Sequence, residues 1–152
     1  MTTNRSVLFV SHDSFRGGAT VLLNNFLRWL KENTDISFQI LVCQRGEMEA
    51  EFEKLAPVWY LDARITRRVA LRASIRRLVT GVGATNVLGF GDLAARIGAA
   101  SRINLVYSNT VVNGRVLEAL SPLGCPVLTH VHELEFLIHT NAGKDFERVK
   151  RY

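Results

Sequence analysis

Three short stretches of this 152-residue chain concentrate side chains that can bind or move charge. The first is His12-Asp13-Ser14-Phe15-Arg16-Gly17-Gly18, directly after the apolar run Ser6–Ser11 (SVLFVS). Paired glycines allow close backbone approach. A helix starting there adds unpaired N–H groups and the positive end of its dipole, which suits a phosphate. The alternative is that Gly17 and Gly18 only make a tight strand-to-helix turn. His12 and Arg16 are candidate ligand contacts in the same loop. The loop fits neither G-x-G-x-x-G nor G-x-x-x-x-G-K-[ST], which disfavours a dinucleotide dehydrogenase and a Walker-type nucleotidase.

The second stretch is Ser108-Asn109-Thr110, with Asn113 close behind. Asn109, Thr110 and Asn113 either contact a ligand or cap the helix that follows. The third is His130-Val131-His132-Glu133. If the preceding strand continues through Val131, both imidazoles face one side. They then contact a polar ligand, serve the structure, or begin a metal site with Glu133. A third metal ligand at suitable spacing is missing, so no metal is expected.

A fourth feature is charge. The segment Arg64–Leu78 holds six basic residues and no acid, and without it the chain has 13 basic and 14 acidic residues. The net charge of +5 is therefore one patch. Arg64, Arg68, Arg72 and Arg76 recur every four residues and line one helical face. That face is either solvated or a contact for an anionic lipid surface or polyanionic acceptor. It lacks the stacking aromatics of RNA modules, so no nucleic-acid partner is expected. Arg outnumbers Lys 15 to 4, favouring planar, bidentate contacts to phosphate or carboxylate.

The elements that must position these residues follow from periodicity. Ser6–Ser11 predicts a strand buried on both faces. Apolar residues at 19, 22, 23, 26, 27 and 30 predict a helix over Ala19–Asn33. Strands are expected at Phe38–Cys43, Val58–Leu61, Asn86–Gly89, Asn104–Tyr107 and Val127–Val131. Helices are expected at Glu47–Leu55, in the Arg-rich segment, at Asp92–Ser101 and at Val111–Leu120. The tail from Leu134 reads as polar and weakly helical. Strand and helix alternate in units of about 25–35 residues, which predicts an α/β fold: a doubly wound, Rossmann-like parallel sheet flanked by helices in three αβα layers. In such sheets ligands bind beyond the carboxyl ends of the strands, where strand order reverses. All three polar stretches follow strands, so the fold brings them to one edge.

Composition excludes other classes. With 47% apolar residues, the chain has ample material for a core and is not disordered. Two cysteines are too few for a disulfide scaffold. The most apolar helical stretch, Ala19–Leu30, is interrupted by Asn24, Asn25 and Arg28, so no membrane span is expected. The apolar run after Arg5 is too short for a secretory signal. One domain over residues 1–152 is the expectation, in the cytoplasm, with Cys43 and Cys125 as reduced small hydrophobes.

At these same residues the sequence resembles a known family. VLFVSHDSFRGGATVLLNNFLRWLKE is similar to the opening of a family 4 glycosyltransferase, a retaining enzyme of the GT-B fold. NLVYSNTVVNGRVLEALSPLGCPVLTHVHELEF resembles the end of that family's N-terminal domain. There, G-x-P-V leads into a strand ending in a histidine and an acid. The two segments cover about 80 residues, and Pro57 to Arg102 match only loosely.

The resemblance implies two Rossmann-like domains around a cleft. The N-terminal one binds the acceptor and the other holds the nucleotide of the donor. It implies that Gly17 and Gly18 reach the donor diphosphate or sugar, that His132 touches the donor sugar, and that Glu133 fills the acidic position beside it. His130 receives no role. The implied activity is transfer of a sugar from a nucleotide-sugar to an acceptor hydroxyl with retention. The acceptor would be a sugar, lipid or glycan, with no cofactor and with possible peripheral contact at the inner face of an anionic membrane. The family's C-terminal signature, two glutamates eight positions apart, is absent. The ending DFERVKRY lacks turn punctuation. The expectation is therefore the N-terminal part of a longer enzyme, inactive alone. The competing expectation is a non-catalytic module that binds anionic ligands or membrane through its Arg-rich helix.

Overall fold

The computed structural model describes residues 6–62, 86–133, 140 and 143–152. Six strands, β1 (Ser6–Ser11), β2 (Ser37–Val42), β3 (Val58–Leu61), β4 (Val87–Leu88), β5 (Ile103–Ser108) and β6 (Val127–Thr129), form one sheet. Its order is β4-β3-β2-β1-β5-β6, and every pairing is parallel. Among the described residues, five helices accompany it: α1 (Gly18–Asn33), α2 (Glu49–Glu53), α3 (Leu93–Ala100), α4 (Gly114–Leu120) and α5 (Gly143–Val149). The fold is the doubly wound, Rossmann-like αβα arrangement that the alternation of elements predicts.

Parallel strands need helical crossovers, and these cover both faces. Successive residues of β1 divide between two cores accordingly. Leu8 and Val10 pack with Leu41, Val106, Leu93, Ile97 and Leu117 on one face. Phe9 packs with Phe38, Ile40, Val42 and Tyr60 on the other, beneath Leu23, Leu27 and Leu30 of α1. Those three leucines, at i, i+4 and i+7, are the buried stripe of α1.

The chain winds outward from β1 to β4, then returns to place β5 on the other side of β1. The reversal of strand order therefore falls between β1 and β5. The loops after these two strands lie at the sheet's carboxyl edge there, the position at which sheets of this kind form a ligand crevice.

Several boundaries differ from expectation. The last strand stops at Thr129 rather than Val131, so His130 and His132 are not strand residues. Residues 111–113 form a 3-10 turn before α4 begins, because the Thr110 side chain accepts from the Val112 N–H and tightens the first turn. Helix α2 spans Glu49–Glu53 instead of Glu47–Leu55. Its entry is occupied by the loop clamp described below. The Arg-rich helical face at Arg64, Arg68, Arg72 and Arg76 lies outside the described residues. Among the described residues, no helix is long and apolar enough to cross a membrane.

Candidate functional site at the strand reversal

The loop after β1 is fixed by its own polar residues and by the loop after β2. Ser11 donates its hydroxyl to the Asp13 carbonyl at 2.6 Å. One carboxylate oxygen of Asp13 accepts from the Phe15 N–H at 3.1 Å and from the Thr20 hydroxyl at 3.0 Å. That oxygen ties the loop to the first turn of α1. Across the gap, Ser14 N–H donates to the Gln44 carbonyl and Met48 N–H to the Ser14 carbonyl, both at 2.9 Å. A Cβ on Gly46 would sit 2.7 Å from both the carbonyl carbon and oxygen of Ser14. Glycine at 46 is thus required by the close approach of the two loops. Neither Asp13 nor Gly46 stood out in the sequence. Asp13 was hidden among other loop polars, and Gly46 looked like punctuation.

Gly17 and Gly18 behave differently. Gly17 is the N-cap of α1 in extended conformation (φ −99°, ψ 165°). No described glycine except Gly124 has a positive φ. A Cβ at Gly17 or Gly18 would meet nothing within 4 Å. Backbone geometry and internal packing therefore leave room for a side chain at both positions. What their bareness does provide is access. No side chain caps the start of α1, and its first turn holds no acid, so the N–H groups of that turn have no side-chain cap. The Asp13 carboxylate, hydrogen-bonded to Thr20, and the Glu47 carboxylate, on the Arg16 N–H, are negative groups near this turn that share the end of the helix with any incoming anion.

Arg16 is directed away from the crevice. Its guanidinium pairs with Glu51 of α2 at 3.1 Å, and its backbone N–H donates to Glu47 at 3.1 Å. The Glu47 carboxyl is held below its usual range by backbone N–H donors, its own first and that of Arg16 next. His12 is exposed at the start of the loop.

The loop after β5 supplies a second wall. Asn113 is fully buried, and its amide donates to the Val10 carbonyl at 3.3 Å and to the Ser108 hydroxyl at 3.0 Å. It joins the ends of β1 and β5 from within. It occupies the N-cap position of α4 without capping it, so it has no surface to offer a ligand. Cys43 lies against the same knot. Burial, followed by the nearby Asp13 carboxylate, pushes its thiol up to about 12. It stays protonated and unreactive at neutral pH.

Asn109 is the hinge of the site. Its backbone N–H donates to the Val10 carbonyl at 3.0 Å, and its side-chain amide donates to the Ala19 carbonyl in α1 at 3.1 Å. That orientation leaves its Oδ1 facing His132 Nε2 at 3.1 Å. An amide oxygen only accepts, so neutral His132 carries its proton on Nε2 and a lone pair on Nδ1. The His132 backbone N–H donates to Glu133 at 3.0 Å, and Thr110 donates its hydroxyl to the other oxygen of that carboxylate. Glu133 is thus folded back onto the chain, with both oxygens engaged.

His130 and His132 remain together although the strand has ended. Their ring centroids are 3.9 Å apart, with 36° between the planes. His130 Nδ1 lies 2.7 Å from the Tyr107 hydroxyl. Desolvation lowers the His132 pKa most. Repulsion from His130 lowers it further, and Glu133 opposes both. Among the described residues, no group of three His, Cys, Asp or Glu side chains could hold a metal ion.

The structure thus brings Gly17, Gly18, Asn109, Thr110, His130, His132 and Glu133 to the β1/β5 crevice. Arg16 is turned outward and Asn113 buried beneath. In comparisons with known proteins, no family model, curated protein or solved structure matches the chain.

Proposed function

We propose that this chain is the acceptor-side, N-terminal domain of a retaining glycosyltransferase, which moves a sugar from a nucleotide-sugar donor to an acceptor hydroxyl. The observation that carries the proposal is the bare start of α1. Two glycines that neither the turn nor the packing requires stand at the reversal of strand order, before uncapped N–H groups. The donor diphosphate would approach there, and the backbone N–H groups would stabilise charge on the leaving group. His132, locked by Asn109 and by its own backbone, would hold the donor sugar. A second domain would supply the nucleotide site, and no protein nucleophile is assigned.

The test is Gly17→Val in the natural gene product that carries this chain. A Cβ at residue 17 meets open space, so thermal stability should change by less than about 1 kcal/mol. Sugar transfer should fall at least about tenfold, because the added side chain occupies the diphosphate's approach. Unchanged kinetics would remove the glycines from the site. Retained binding to anionic lipid vesicles without any sugar transfer would favour the non-catalytic module.

A further inference from the structure

Helix α1 carries a second apolar stripe that the core does not use. Leu22, Phe26 and Trp29 are 52%, 39% and 55% exposed and lie at i, i+4 and i+7. Beside the upper part of this stripe is a cavity of about 280 Å³ lined by Leu22, Leu23, Phe26, Tyr107, Asn109 and His130. Its floor is firm. Leu23 belongs to the buried core. The Tyr107 ring packs against Phe9 at 5.1 Å and Phe26 at 6.1 Å between centroids.

The lining is polarised along the helix. Helix α1 starts at the carboxyl edge of the sheet and runs back across it. Asn109 and His130, at that edge, form the polar end. Leu22, Phe26 and then Trp29 lead away from it for about 10 Å along the helix axis. No Asp, Glu, Lys or Arg lines the cavity among the described residues. A charged headgroup finds no counter-charge there, whereas a hydroxyl meets the second amide N–H of Asn109 and the other ring nitrogen of His130, whose Nδ1 is already on the Tyr107 hydroxyl. The volume falls just below the range typical of small-molecule pockets, about 300–1,000 Å³, and suits a short hydrocarbon segment better than a protein helix.

We infer that this cavity binds the hydrocarbon end of one hydroxyl-bearing amphiphile, with its hydroxyl at Asn109 and His130 and its chain along Leu22, Phe26 and Trp29. The inference rests on the glycosyltransferase proposal only in making this molecule the acceptor. The binding site itself stands on the cavity.

The probe is n-octyl β-D-glucopyranoside, titrated below its micelle concentration into the protein without donor and followed by NMR. Saturable shifts in the Phe26 and Tyr107 ring protons and in the His130 imidazole are expected, with none from glucose alone. Leu22 is half-exposed, so Leu22→Gln leaves the fold intact and should weaken binding about five- to tenfold. Ile36→Gln, at an exposed apolar residue outside this lining, should leave binding unchanged. Binding seen only above the micelle concentration, equal weakening by both variants, or equal affinity for octyltrimethylammonium would each overturn the inference. Because no donor is present, loss of this binding and loss of sugar transfer are read separately.

Discussion

His132 is held at three points: its Nε2 by Asn109, its backbone N–H by Glu133, and its ring face by His130. The Asn109 amide cannot turn over without losing its bond to the Ala19 carbonyl. The tautomer of His132 is therefore set by the first turn of α1, and Nδ1 is left to accept a hydrogen bond. In ¹⁵N spectra at neutral pH, His132 should be the Nε2–H tautomer. Asn109→Leu should mix the two tautomers, and an unchanged pattern would refute the link. The pKa direction gives a further sign. Folding depresses the His132 pKa, so below the ordinary imidazole value of about 6.5 the unfolded chain binds the extra proton and stability falls as pH drops. His130→Gln removes one depressing charge and should move the His132 midpoint upward.

At the scale of elements, the loops that follow β1 and β2 are clamped together by backbone hydrogen bonds between Ser14 and both Gln44 and Met48. Gly46 lets them touch. Gly46→Ala would push a methyl into the Ser14 backbone and should cost about 1–3 kcal/mol in denaturant unfolding. An unchanged midpoint would show that the clamp yields. This clamp also marks what was legible in the sequence. The parallel sheet could be read because its strands are short, mostly apolar and separated by helical periods, as in SVLFVS and the leucines of α1. The convergence of the 12–18, 108–113 and 130–133 stretches followed from that topology. Their internal geometry did not. Nothing in local spacing distinguishes Asn113, sealed under β1, from Asn109, which turns its side chain to the crevice. Nor does it separate Leu23 and Leu27, which face the sheet, from Leu22 and Phe26, which face outward. Both distinctions depend on which neighbour the helix meets. Asn24 is another case. It is buried in α1 with its side-chain oxygen unpaired, although its spacing suggested a break in an apolar stretch.

For the whole molecule, the order β4-β3-β2-β1-β5-β6 puts a bare helix start and a histidine pair across one crevice. An apolar cavity opens beside them. In the proposed enzyme the helix start and His132 hold the donor, and the cavity, with His130 at its edge, holds the acceptor. The most direct measurement is sugar transfer by the natural gene product carrying this chain. It would be supplied with a panel of nucleotide-sugars and octyl glucoside, and the anomeric configuration of the product would be read by NMR. Transfer with retention at the anomeric carbon, lost in Gly17→Val at unchanged thermal stability, is the result the account predicts. No transfer from any donor, or a product of inverted configuration, would contradict it.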